Sequence, residues 1–377
     1  MKEKQQHTEI KSINFSRAEL PKFEEVVNKK EWVYFGEDNL APKHLVDYYN
    51  YSPTHHSCIS SKRDGVIGNS LFSTDEDQDL RLISANPMES VYDVFKKCAL
   101  DMVLFGCYSL NIIWKQDREL GISEFYHIDV SKLRVGKADE LDYVKDYFYS
   151  GDWSNLRKYP TRKIPSFNPL NDEPSQIYYH KPYSPNTFYY AQPDYVAGIT
   201  SINTEVEIGR FHLKNIQNSF HPSLWVNLNS GIPSTEERDS IFKHLTDRYS
   251  GSDNAGRLMV SFNEDAASQP EITQIDNNTN DTLFGTLNEM TVSNILTANR
   301  ITSGLLLGIK NGDNGGLGSN KDELLVSYNH FLNTVVKPIQ QQLLDGFQKV
   351  LFLRDQKTIE LFIEKNTIID IEDRIDE

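Results

Sequence analysis

One stretch limits the fold more than any other: Asp281 to Val350. Leu283, Leu287, Met290 and Ile295 stand near helical spacing, which predicts a helix leading in. A polar, glycine-dense loop follows from Lys310 to Asn320. A longer helical pattern then runs from Leu324 through Phe331, Val335 and Ile339 to Phe347. Pro338 lies inside this second pattern. It lacks a backbone donor and its ring crowds the preceding turn, so a kink is expected there. The unit is helix, loop, kinked helix, and a subunit built on it is short of core unless something packs along the helices.

The rest of the chain supplies more than one core. At 377 residues it is long enough for two or three packed units, and 38% apolar with 11% aromatic content suits a folded protein. No apolar run approaches the roughly 18 residues that span a bilayer. The first residues, MKEKQQHTEIKS, lack the apolar centre of a secretory signal. Cys58, Cys98 and Cys107 have no ligand-like spacing, which predicts free, buried thiols in a reducing compartment. Lys and Arg number 39 against 54 Asp and Glu, a net charge of −15. Such a balance excludes a protein whose whole surface grips nucleic acid, though not one along which DNA slides.

Residues 1–40 are charged and mixed and read as an arm. APKHLVDYYNYSPTHHSCISSKRDGVIG then predicts a helix, a turn at Ser52-Pro53, and a second helix closing near Gly65 or Gly68. His55 and His56 are adjacent, so on a helix they diverge by about 100° and cannot share a metal. After an acidic loop, Pro87 and Glu89 read as the start of a strong helix that Gly106 ends. Aromatic and β-branched runs broken by Gly, Pro and Asn follow up to residue 190, the pattern of short antiparallel strands. Their tyrosines fit half-buried strands with wet tips better than a base-stacking platform. A helical pattern returns from Pro193 to Gln217. Beyond it, Leu224–Asn229 reads as a strand, Ser234 or Thr235 with Glu237 as a helix start, and Leu258–Phe262 as a strand. A further strand is expected at Thr358–Ile363.

Enzymatic motifs fail on inspection. The loop GIKNGDNGGLGSNKDE has no Gly-Lys-Ser/Thr run for a phosphate cradle. A calcium loop starting at Asp313 would put Gly315 and Leu324 where oxygen ligands are needed. A dinucleotide fingerprint would need a strand before it, and a helix is expected there. The chain has no HExxH, G-x-S-x-G or CxxC, and Asp75-Glu76-Asp77-Asp79 reads as a solvated face. No cofactor, no metal and no catalytic residue is expected.

The wording of the C-terminal half resembles the portal proteins of tailed phages, of the HK97 type. The resemblance rests on ITSGLLLG, the Gly/Asn loop, SNKDE and FLNTVVKPIQQQL, with FHPSLWVNL and YSGSDNAGRLMV earlier in the chain. It covers roughly 185–350 specifically and the strand-rich region before it only in general character. It implies an α+β portal-like fold: an N-terminal arm (1–40), a strand-rich wing (41–190), a first stem helix (191–218), a small α/β clip (219–277), a second stem helix (278–302), a tunnel loop (303–320), and a kinked helix returning to the wing with the C-terminal segment (321–377). The family's helical crown is expected to be minimal or absent.

By the same resemblance the chain forms a homo-oligomeric ring, a dodecamer, at one capsid vertex. It lies in the virion, and in host cytoplasm during assembly. Double-stranded DNA passes through non-specifically, the terminase large subunit and a head-tail adaptor dock, and the major capsid protein surrounds the ring. No membrane partner is implied. Lys310, Asn311, Asn314, Asn320 and Lys321 are expected to face DNA. Trp225, Asn227, Arg238 and Arg248 are expected to meet the motor. Leu287, Met290, Ile295, Phe331 and Val335 are expected to form the seam between subunits. The rival readings are a nucleic-acid-processing enzyme, such as a metal-dependent nuclease or motor fragment, and a different virion ring such as a neck adaptor.

Overall fold

Caps and glycines in the sequence set where the first helices begin and stop. In the computed structural model, which describes residues 23–73, 78–217, 224–228, 234, 236–237, 239–241, 258–262, 280–308 and 321–364, α1 spans Ala41–Tyr51 and α2 Pro53–Ile67. Ser52 separates them and caps α2, its hydroxyl accepting from the His55 amide at 3.2 Å. Gly68 ends α2 at φ 62°, and a Cβ there would overlap the Glu364 carbonyl. Helix α3 runs Val91–Phe105, later than Pro87 suggests. Pro87 sits in the turn between the short strands Ser84–Asn86 and Glu89–Ser90. The helix start is set instead by a reciprocal box, Asp93 N–H to Ser90 Oγ at 3.1 Å and Ser90 N–H to Asp93 Oδ2 at 3.2 Å.

The tyrosine-rich region forms two three-stranded antiparallel sheets. In the first, β2 (Tyr108–Trp114) lies between β3 (Ile122–Ile128) and β7 (Ser175–His180). In the second, β5 (Asp146–Tyr149) lies between β4 (Leu133–Val135) and β6 (Arg162–Pro165). Leu110, Ile112 and Trp114 alternate inward along β2. With α3 and Phe347 they belong to the main core, each large side chain contributing about 1.5–3 kcal/mol on burial. Several tyrosines go deeper than wet tips: Tyr190 and Tyr195 are buried, and their hydroxyls donate to Val33 O and Leu104 O, each at 2.6 Å. The strand expected near the C-terminus is β10, Leu361–Glu364, and it pairs antiparallel with β1, Ser70–Ser73. All three cysteines are free and buried.

Two long helices, α4 (Ile199–Gln217) and α5 (Asn280–Ala298), each have 19 residues, so each is about 28 Å long. They bracket a parallel pair, β8 (Leu224–Leu228) beside β9 (Leu258–Phe262). Parallel neighbours need a crossover, and the chain between them is helical at 236–237 and 239–241. Ser234 and Glu237 exchange the two predicted capping bonds, at 3.0 and 3.3 Å. After α5 comes a 3₁₀ turn, Gly304–Leu307, and then α6, Lys321–Phe331. Just before Pro338, where a kink is expected, the helix passes through a π-turn, Leu332–Val336, from which α7, Lys337–Asp355, continues. Pro338 lies in the first turn of α7, where its missing donor is best tolerated.

Candidate functional site

The two long helices, the π-turn and α2 converge on one polar junction inside the apolar core. Ser52 and Thr54, at the start of α2, both donate to the Glu205 carboxylate on α4, Thr54 at 2.6 Å. His55, Cys58 and Lys62 recur at helical spacing on one buried stripe of α2. That stripe meets the end of α5. The Lys62 ammonium donates to Asn299 Oδ1 at 3.3 Å, while Asn299 Nδ2 donates to Ile295 O at 3.0 Å and lies 3.3 Å from His55 Nδ1. An amide donor at that distance requires Nδ1 to accept, so the imidazole is neutral with its proton on Nε2. Burial pulls His55 down to about 3, the same protonation state. Burial also pulls Lys62 down to about 8, against the opposing pull of Asp194.

Arg300 completes the junction. Pro338 has no N–H for the Thr334 carbonyl four residues before it. The Arg300 guanidinium supplies a donor instead, Nη2 to Thr334 O at 2.8 Å, and also lies 3.6 Å from Asp194. Arg300 takes a left-handed backbone, φ 59°, as the chain turns off α5. Close helix approach surrounds this turn: a Cβ on Gly198 would overlap that of Ala298, and one on Gly65 would come within 3.0 Å of Val336 Cγ2. From α7, Gln340 Nε2 donates to the carbonyls of Gly65 and Val66 at the end of α2, at 3.1 and 3.2 Å.

Nothing in this junction is poised for chemistry. Burial pushes the Cys58 thiol up to about 12, so it is no nucleophile at neutral pH. Among the described residues no group of three His, Cys, Asp or Glu could hold a metal ion, and no helix is long and apolar enough to cross a membrane. The arrangement holds three helices in register.

The expected seam residues separate into two sets. Met290 is 59% exposed and Leu287 half-buried, both on the outer part of α5. Ile295, Phe331 and Val335 are 0%, 2% and 2% exposed. These three pack into the subunit's own core, where α2 lies against the end of α5 and against the π-turn. Outside the expected seam set, Phe211 and Leu213 on α4 and Val326 on α6 are 44%, 55% and 70% exposed.

Other expected residues are only partly placed. Trp225 and Asn227 lie in β8. Arg238 and Arg248 lie outside the described residues, as do Lys310, Asn311, Asn314 and Asn320. Lys321 is the first residue of α6.

Sequence comparison finds no matching family model and no matching curated protein. Structural comparison does find relatives. A chain in the neck of an empty GTA particle, treated with C6 symmetry, superposes with TM-score 0.54 at 15% identity over 88% of this chain and 86% of that one. A chain from the native GTA neck, treated with C12 symmetry, gives 0.53 at 14% identity over 89% and 87%. An HK97 family phage portal protein from Corynebacterium diphtheriae gives 0.42 at 10% identity over 84% and 93%. The α+β fold described above, with its paired long helices and intervening parallel strands, is shared with those GTA neck chains.

Proposed function

We propose that the chain is the subunit of a phage-type portal: a ring at one capsid vertex through which double-stranded DNA enters and leaves. One observation carries the reading. The wing ends of α4 and α5 are locked into the subunit core, while their outer parts expose Phe211, Leu213 and Met290. Apolar side chains that leave a core along two adjacent helices call for partners, and copies of the same chain arranged around an axis supply them. The portal wording around residues 301–343 and the fold shared with chains of GTA necks support the same conclusion.

In this reading, dodecameric assembly, the terminase large subunit, the head-tail adaptor and the major capsid protein are the partners. The β8–β9 unit is the clip that meets the motor through Trp225, Asn227, Arg238 and Arg248. The loop 303–320 faces DNA, where Lys310, Lys321 and the asparagines Asn311, Asn314 and Asn320 touch phosphates without reading bases. The chain itself carries no catalysis, and hydrolysis belongs to the motor.

Light scattering and electron micrographs of the purified protein test this. A ring of several hundred kilodaltons with a central channel is expected. Met290→Asp and Phe211→Asp should each yield folded subunits that no longer form rings, because each places a charge in the seam. A wild-type protein that stays monomeric at high concentration overturns the proposal.

A further inference from the structure

The wing carries a second basic feature, far in sequence from the glycine loop. The segment 28–33 lies along the second sheet: Trp32 bridges Gly136 and Val33 N–H donates to Val135 O at 2.9 Å. This opens an exposed pocket of about 350 Å³ lined by Lys29, Lys30, Lys137 and Lys163, with Glu31 and Asp146. Only Lys163 has a carboxylate partner, Asp146 at 2.9 Å. Lys30 lies 5.9 Å from the centre of the Trp32 ring and Lys137 donates to the Asn28 carbonyl. Among the described residues, Lys29, Lys30 and Lys137 form no ion pair.

The ground beneath is positive as well. Arg134 stands directly across from Phe148, a residue that lines the pocket. It is fully buried, stacks 4.7 Å from the Trp153 ring, and donates only to neutral oxygens: Asn39 Oδ1 and O, Ser131 O and Leu133 O. Burial pulls its guanidinium down to about 10, which leaves it charged at neutral pH. Trp32, Phe148 and Trp153 form the apolar layer between, where charges are screened less than in water. Asn28 Nδ2, next to Lys29, is a buried donor with no partner among the described residues. Gly136 lets the strands close beneath the pocket: its amide donates to Asp146 O at 2.9 Å, and a Cβ there would overlap that carbonyl.

In a chain of net charge −15, four lysines against Glu31 and Asp146 leave this pocket net positive over a buried arginine, a local field that favours an anion. Resting on the portal reading above for the identity of the polyanion, we infer that this wing pocket binds the phosphate backbone of duplex DNA through Lys29, Lys30 and Lys137. The exposed cations in the pocket, Lys29, Lys30, Lys137 and Lys163, are point charges that can meet phosphate oxygens along a backbone without a fixed two-point geometry, and an acidic protein segment is the rival occupant that competition separates. The pocket is a shallow surface feature, so a backbone crosses it and no base is read.

Purified full-length protein and a short synthetic DNA duplex, followed by fluorescence anisotropy across a salt series, test the inference. The triple variant Lys29→Ala/Lys30→Ala/Lys137→Ala should bind about tenfold more weakly, and the slope of log K against log salt should flatten by about 2 to 3. The variant Lys96→Ala/Lys97→Ala/Lys349→Ala loses the same charge elsewhere and should bind as wild type. Circular dichroism of both variants should match wild type, which keeps a loss of binding apart from a loss of fold. Equal binding by the two triple variants overturns the site. So does a polyglutamate peptide that outcompetes the duplex and loses its binding in the first triple variant, which would assign the pocket to an acidic protein segment. Ring formation and the glycine loop do not enter either outcome.

Discussion

Helix α5 is two different environments on one rod. At its C-terminal end, Ile295 is buried in the core beside α2, and Asn299, just past the helix, is tied to Lys62 and His55. Barely more than a turn earlier, Met290 stands in solvent in the isolated subunit. Both residues are apolar and both fit one helical pattern. The difference lies in what the rest of the chain brings alongside, and it separates the part of the helix that the core covers from the part that the proposed ring would cover.

The largest effect should come from inverting that division. Ile295→Asp places an unpaired carboxylate in a dry core and should cost about 4 kcal/mol, enough to unfold much of the wing. Met290→Asp should leave subunit stability within about 0.5 kcal/mol while removing assembly. Chemical denaturation of the dilute subunits compares them directly. Similar stabilities for the two variants would erase the distinction between the ends of α5.

A smaller effect separates the junction from the exposed end by pH. His55 has an ordinary value of 6.5 and is held near 3 in the folded chain, first by burial and then by Lys62 and His56. The unfolded chain therefore takes up this proton below pH 6.5 while the folded chain refuses it until about pH 3. Stability from this group is complete above pH 6.5 and is lost as pH falls through that window, by up to about 1.4 kcal/mol per pH unit. Carboxylates add their own acid dependence, so the readout is the difference between wild type and His55→Gln. The variant should show the shallower loss between pH 6 and 4. Parallel curves would mean that the imidazole is not held neutral at the junction.

How far the sequence alone reaches follows the same division. Local signals were legible: Ser52 with Pro53, Ser234 with Glu237, the breaking effect of Pro338, and the strand near residue 361. Pro87 misled because a proline that can open a helix can equally tip a hairpin, and the Ser90–Asp93 box three residues on was the decisive signal. Which strands pair was not legible. Residue 361 lies almost three hundred residues from its partner at 73, and no turn links them. For the same reason the sequence could not tell exposed Met290 from buried Ile295, since helical spacing marks an apolar face without saying what covers it. Lys62 was invisible as a junction residue, because its neighbours in sequence are ordinary surface residues and its partner Asn299 lies 237 positions away.

The smallest effect, and the most specific, concerns Arg300, where the turn off α5 meets the π-turn. Its side chain gives the Thr334 carbonyl the donor that Pro338 cannot, and its backbone sits at φ 59°, which a Cβ disfavours. The ion pair with Asp194 is 3.6 Å long with both side chains about half exposed, so it contributes little. Arg300→Ala removes the bond and keeps the strained backbone, and should cost about 1 kcal/mol. Arg300→Gly removes the same bond but relieves the backbone, and should recover much of that loss. Exchange of the Lys337 amide, which donates to Leu332 O across the π-turn, should quicken in both variants because both lose the same anchor. Equal stabilities for Ala and Gly would show that the left-handed turn is unstrained. Unchanged Lys337 exchange would show that the π-turn is held by Pro338 alone, with Arg300 a bystander at the junction.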